Sequence, residues 1–313
     1  MPQTPWTGLT LVMIAGLVGA PGYAQPANSH LVDPDKLTQI SDHSWVIKGF
    51  PNIGIVVGTR ATLVVDTGLG TRNGKIVSDV ARRLSTKGQK LYLTTTHYHA
   101  EHAAGDGGFP PGTIVIRPRV QQIEMEAEGQ KLMDLFSSRS AEDKELLQGV
   151  QIKPATVLFD KSYQLDLGGG VKVRLLWFGA AHTKGDELIL VEPDSVLYSG
   201  DVVQNKAGTY FYCAECTPGK WLNVLDHVAQ LRPKIVVPDH SPPGDDSLIV
   251  SERAFISELQ ARASALKKEG KSEAEAERIL TPEIEAKYQG WSGLNHIQDA
   301  VARAYAETAA GAP

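Results

Sequence analysis

Three histidines and a glutamate, His97, His99, Glu101 and His102, fall within six residues directly behind the β-forming run Leu91-Tyr92-Leu93-Thr94-Thr95-Thr96. Crowding these groups into one turn is costly as mere filling, because each imidazole and carboxylate needs a polar partner once it leaves water. A divalent metal is such a partner: neutral imidazole nitrogens and carboxylate oxygens bind zinc at about 2 Å. His97 and His99 alternate by two and point the same way if extended, whereas Glu101 and His102 sit past the turn. The spacing therefore suits two adjacent ions, and the chain must fold so that a strand ends at a cavity.

Further donors follow the same grammar of strand, sharp turn and ligand. His182 comes after Leu175-Leu176-Trp177-Phe178, Asp201 after Val196-Leu197-Tyr198, and His240 after Ile235-Val236-Val237-Pro238. Taken singly each has a bland reading, as a loop residue, a turn former and a capping group respectively. Their weight is collective. The surrounding pattern is α/β: β runs at 45–47, 53–57 and 61–65, a helix over 72–87 that stops at Gly88, then the strand before His97. Residues 118–149 suit amphipathic helices lying over the surface or a cleft. Strands return at 156–159, 163–167 and 171–178, with Gly168-Gly169-Gly170 as a hairpin turn, and again at 188–191 and 196–199. A helix over 218–231, a buried strand at 235–237 and helices through Ala309 complete the chain, with Thr281-Pro282 read as a cap and first-turn pair. No repeat or linker divides residues 30–313, which read as one layered domain with C-terminal helices from about 250.

On these residues the chain resembles the metallo-β-lactamase superfamily, whose pattern is an early Asp after a strand, an H-x-H-x-D-H loop, a later His, a bridging Asp and a final His. The matching positions are Asp66 in Val64-Val65-Asp66-Thr67-Gly68, then His97, His99, Glu101 and His102, then His182, Asp201 and His240. The resemblance covers about residues 45–243. It implies a four-layer αβ/βα sandwich, with a helical insertion and a helical C-terminal region, whose metals lie in a cleft at one edge of the paired sheets. It further implies two zinc ions, one held by His97, His99 and His182 and the other by Glu101, His102 and His240, with Asp201 bridging. Two positions depart from the pattern: Glu101 is one methylene longer than the family's Asp, and Asp239 stands where many relatives have Gly, which should narrow the cleft.

The chemistry so implied is hydrolysis by a metal-bound hydroxide acting on a small-molecule ester, lactone or β-lactam-like amide. Asp66 and Asp201 are the candidates to orient that hydroxide and shuttle its proton, both being expected in the same cleft, and the resemblance also implies that Asp66 orients a ligand or the metal-bound water. Tyr210 or Tyr212 could donate to a developing oxyanion, or these aromatics could pack beneath the 118–149 helices. A mononuclear iron oxygenase using two His and one carboxylate, and a binding module that has lost its chemistry, are the alternatives; a complete set of seven ligands argues against both.

Composition narrows the partner. The formal charge of −5 is spread without long acidic or basic blocks, so nothing marks the chain for nucleic acid, and a small molecule is expected. An apolar run at 9–20 followed by Gly22-Tyr23-Ala24 reads as a signal peptide over 1–24, cleaved before Gln25, too short for a membrane anchor; a periplasmic or secreted protein follows. The two cysteines, Cys213 and Cys216, lack a second Cys or His pair nearby for structural zinc, and in an oxidising compartment they read as a local disulfide.

Overall fold

The computed structural model describes residues 29–151 and 153–310; the expected signal segment lies outside them. Strands β1 (Leu37–Gln39), β2 (Ser44–Ile47), β3 (Ile53–Val57) and β4 (Ala61–Val65) form an antiparallel meander. Helix α1 (Gly70–Leu84) leads to β5 (Lys90–Thr94), and the short α2 (Ala100–Ala103) precedes β6 (Ile114–Pro118). Helices α3 (Arg119–Arg139) and α4 (Ala141–Leu146) precede β7 (Val157–Phe159). These seven strands make one sheet in chain order, parallel from β4 to β7. The second sheet contains β8 (Ser162–Gly168), β9 (Val171–Leu176), β10 (Leu188–Glu192), β11 (Val196–Gly200) and, after α5 (Pro218–Gln230), β12 (Ile235–Pro238). Its order is β12-β11-β10-β9-β8, with β11 and β12 parallel. Helices α6 (Ser247–Lys268), α7 (Glu273–Lys287) and α8 (Ile297–Ala310) end the described chain.

The period of two along the strands decides how these parts stack, because successive side chains leave opposite faces. In β10, Ile189 and Val191 enter the core between the sheets, while Leu188 and Leu190 enter the core beneath α5 to α8. In β4, Leu63 and Val65 face the second sheet while Val64 faces Val77, Val80 and Ala81 of α1. The result is helix, sheet, sheet, helix: the four-layer α/β sandwich that the family resemblance implied. The C-terminal helices spend their apolar faces, Phe255, Leu259, Leu280 and Val301 among them, on the outer face of the second sheet.

Two local expectations need correction, and one strand had none. Strand β6 lies in a stretch to which the sequence assigns no element, Ile114-Val115-Ile116 being bracketed by Pro110-Pro111-Gly112 and Pro118. Thr281-Pro282 does not begin a helix: Pro282 lies inside α7, whose start is a capping box between Ser272 and Glu275. Helix α3 is not simply amphipathic, since it buries Gln121, Gln122 and Glu124 alongside Met125, Met133 and Phe136. Gln121 and Glu124 are satisfied largely by loop backbone, and that is their role in the site, whereas Gln122 bonds to Arg117, Glu126 and the Ala155 amide.

Candidate metal centre

All the candidate ligands emerge at strand ends on one edge of the two sheets, the crevice where α/β sheets leave room for ligands. Asp66 directly follows β4 in a left-handed backbone conformation (φ 68°). The His97 to His102 segment follows β5, and its last two ligands sit on the first turn of α2. His182 follows β9, Asp201 follows β11 and His240 comes two residues after β12. Gly200 permits the closest approach: its φ is 58°, and a Cβ there would lie 2.9 Å from Cβ of Thr96. Without a side chain at 200, the chain carries Asp201 directly over the histidine loop.

Two clusters result. Ligand-type atoms of His97, His99 and His182 lie within 4.8 Å of one another, as do those of Glu101, His102 and His240. Asp201 stands between them, with Oδ2 3.3 Å from Nε2 of His182 and Oδ1 3.5 Å from Nε2 of His240. The amide of Gln204 donates to Oδ1 of Asp201 at 2.7 Å. Nε2 of His97, His99 and His182 and Oε2 of Glu101 are buried without any hydrogen-bond partner. Burial holds His97 and His99 well below the ordinary imidazole range, and it brings His182 down to about 4 and His240 to about 3. These rings are therefore neutral and free to act as donors to a metal.

The far ring nitrogens of His182 and His102 are held from behind, whereas Nδ1 of His240 is buried without a partner. Nδ1 of His182 donates to the Tyr210 carbonyl at 2.9 Å, leaving Nε2 for the cluster. Nδ1 of His102 faces Oδ2 of Asp66 at 3.0 Å and Oδ2 of Asp239 at 3.2 Å. Burial works against charge on His102, but these two carboxylates outweigh it and raise its pKa well above the ordinary value. Thr96 ties the arrangement together: its N–H donates to Oδ1 of Asp66 at 2.7 Å, and its hydroxyl reaches Oδ2 of Asp239 at 2.8 Å. Asp66 is fully buried behind His102 and does not line the cleft, which corrects the expectation that it shares the cleft with Asp201. It positions a ligand. Asp239 likewise turns inward under His102 rather than narrowing the cleft.

Beyond the clusters opens a cleft of about 840 Å³ walled by Phe50, Leu132, Phe136, Tyr210, Tyr212 and Trp221. The ring of Tyr212 packs edge-on to His99 and His182 at 4.4 and 5.0 Å. Burial pushes its phenol up to about 12, so it stays a hydrogen-bond donor. Tyr210 is withdrawn from the oxyanion role because its hydroxyl donates to the Gly293 carbonyl at 2.9 Å. Nor does it pack beneath α3 and α4: its ring lies against Tyr212 and His296. The Cys213–Cys216 disulfide forms as expected and closes the end of this aromatic loop.

The support beneath the ligand loops has no signature in spacing. Gln121 of α3 donates to the Thr95 and Gly185 carbonyls, and Glu124 accepts from the Lys184 and Gly185 amides. One helix thus laces the His97 loop to the His182 loop. Asp186 accepts from the Ala181 and Thr183 amides on either side of His182. Glu252 of α6 accepts from the Gln204 amide and the Thr209 hydroxyl, and burial lifts its carboxyl from 4.5 to about 8. A group whose folded pKa is raised contributes stability that is complete below its unfolded value and is lost as pH climbs through the folded one. Melting temperature should therefore fall between pH 5 and 9. Glu252→Gln, which keeps the shape and stays neutral, should flatten that slope; a variant curve parallel to the wild type would refute the assignment.

With this geometry in hand, comparison with known proteins is decisive for the family. The sequence profile of the metallo-beta-lactamase superfamily matches residues 46–240, more than half of the chain. The chain belongs to the metallo-beta-lactamase superfamily. No curated protein sequence matches it. Among solved structures it is similar to a metallo-beta-lactamase from Pontibacter korlensis, with 19% identity, a TM-score of 0.56, and coverage of 71% of this chain and 98% of that one. The metallo-beta-lactamase FIM-1 from Pseudomonas aeruginosa, in its mono-zinc form, aligns with 14% identity and a TM-score of 0.55 over 71% of this chain and 94% of its own. A stereoselective inverting sec-alkylsulfatase, Pisa1 from Pseudomonas sp., gives 16% identity and a TM-score of 0.67 over 87% of this chain and 50% of the sulfatase. At these identities the neighbours establish the superfamily's fold and leave the substrate to the site itself.

Proposed function

We propose that the protein is an exported zinc-dependent hydrolase of small-molecule esters, lactones or β-lactam-like amides. The observation that carries this reading is the convergence of three buried ligand atoms, Nε2 of His97, His99 and His182, that have no hydrogen-bond partner, beside a second cluster in which Oε2 of Glu101 is likewise unpartnered. Leaving each such atom unpaired costs about 1–3 kcal/mol, so a set of them facing one another is sensible only if a cation fills the space. His97, His99 and His182 would hold one zinc and Glu101, His102 and His240 a second, with Asp201 offered to both. Zinc held there acidifies water and polarises a carbonyl oxygen.

The chain's own groups do the rest. Asp201, set by Gln204, accepts and holds a proton beside the clusters. The Tyr212 hydroxyl donates to the oxygen on which charge develops. Asp66 and Asp239 accept from Nδ1 of His102, so that a metal would take the place of the proton on Nε2. Export is supported by the apolar run at 9–20 and by the disulfide, which persists in oxidising compartments. Among the described residues no helix is long and apolar enough to cross a membrane.

The test is elemental analysis of the purified protein together with a turnover screen of β-lactams, lactones and aryl esters. About two zinc ions per chain with turnover are expected, whereas a single iron would move the protein to the oxygenase reading. Glu101→Asp probes the second cluster. Glu101 Oε1 already lies 3.8 Å from Nε2 of His102, and removing a methylene withdraws the carboxylate. Chelator titration should show the more weakly held ion loosened about tenfold, with the tighter one unchanged; unchanged affinity at both would show that the glutamate's reach is immaterial.

A further inference from the structure

Among the lining residues of the cleft, Arg139 is the only lysine or arginine. It is the last residue of α3, and its guanidinium stacks over Phe136 with the carbon 3.7 Å from the ring centroid. Phe136 is itself 2% exposed, so the platform is fixed. Stacking uses the face of the guanidinium and leaves its N–H groups at the edge, and among the described residues none accepts from them. Arg119, at the other end of the same helix, instead pairs with Asp160 at 3.0 Å.

Arg139 shares the cleft lining with Glu101, His99 and Tyr212 and is otherwise exposed to solvent. The acids lining the cleft do not pair with it: Glu101 and Asp201 belong to the ligand clusters, Glu252 is bound by Gln204 and Thr209, and Asp299 lines the cleft from α8. An unpaired planar cation beside apolar walls is matched by an apolar molecule carrying a carboxylate, which a guanidinium grips with two parallel hydrogen bonds. Holding the fork on Phe136 lowers the entropy lost on binding.

We infer that Arg139 is a specificity-determining residue that selects substrates bearing a carboxylate apart from the bond to be cleaved. This deepens the hydrolase reading and rests on it. The test compares 4-nitrophenyl hydrogen glutarate with its neutral methyl ester. In Arg139→Ala, KM for the acid should rise about 10- to 100-fold with kcat little changed, while the neutral ester is handled as before. Arg139→Lys should recover part of the loss, Arg119→Ala should leave both esters alone, and added salt should raise KM for the acid only. An equal loss on both esters, or a fall in kcat alone, would overturn the inference and assign Arg139 to steadying Glu101. If the wild type cleaves neither ester, aryl esters drop out of the hydrolase reading, and the reading as a whole fails only if lactones and β-lactams are also left intact. Calorimetry with glutaranilic acid and its methyl ester then decides separately: preference for the acid, lost in Arg139→Ala, upholds the subsite, and no preference, whether from equal binding or from none, overturns it.

Discussion

Replacing His99 by alanine is expected to empty the tri-histidine cluster and to lower turnover by about a thousandfold or more. The magnitude follows from the chemistry: zinc can bring the pKa of water from 15.7 to about 7, and losing it returns the nucleophile to its unactivated form. His99 is 4% exposed and its Nε2 has no protein partner, so its removal leaves a small cavity but no orphaned hydrogen bond at that atom. The variant should therefore fold, which far-ultraviolet circular dichroism would check. His182→Ala removes a ligand to the same cluster from the other sheet and should have the same consequence. Retention of both zinc and activity in either variant would sink the assignment.

Asp66→Asn is expected to weaken metal binding about 10- to 100-fold, the range typical of groups that orient ligands from behind. Asparagine suits the backbone, since it tolerates the left-handed φ of 68° better than most residues. Its Oδ1 can still accept from the Thr96 amide. The group opposite Nδ1 of His102, however, changes from an acceptor at 3.0 Å to an amide donor. Donor then faces donor in a fully buried place, and the ring must turn or change tautomer, spoiling Nε2 as a ligand. Competition with a chromogenic chelator measures the loss. Unchanged affinity would mean that Asp239, 3.2 Å from the same nitrogen, orients His102 alone.

The parts of this architecture that were legible in the sequence are those written in short-range code. Val64-Val65-Asp66 and Ile235-Val236-Val237-Pro238-Asp239-His240 announce strand and ligand within a few residues, and the His97 to His102 spacing needs no tertiary knowledge. What the sequence concealed depends on contacts between distant segments. Gln121 and Glu124 read as the polar face of a surface helix because nothing near them in sequence shows that Thr95 and Gly185 will supply their partners. Asp239 read as a cleft residue because only the pairing of β12 beside β11 turns its carboxylate beneath His102. Tyr210 read as a donor because Gly293, which takes its hydroxyl, lies 83 residues away. Arg139 carried no sequence signal, since its meaning comes from Phe136 and from the cleft that α3 overlooks.

The ligands divide between the two sheets. Asp66 and the His97 to His102 loop come from the first, whereas His182, Asp201, Asp239 and His240 come from the second, and among the described residues the chain crosses from one to the other only between β7 and β8. An ion shared by such a site acts as a rivet through two plates. Its affinity becomes a gauge of how well they are seated, so that a void opened at Leu63 or Ile189, far from any donor atom, should register as easier metal loss. A chain severed between Phe159 and Ser162 would have its two pieces held together by the same fastener.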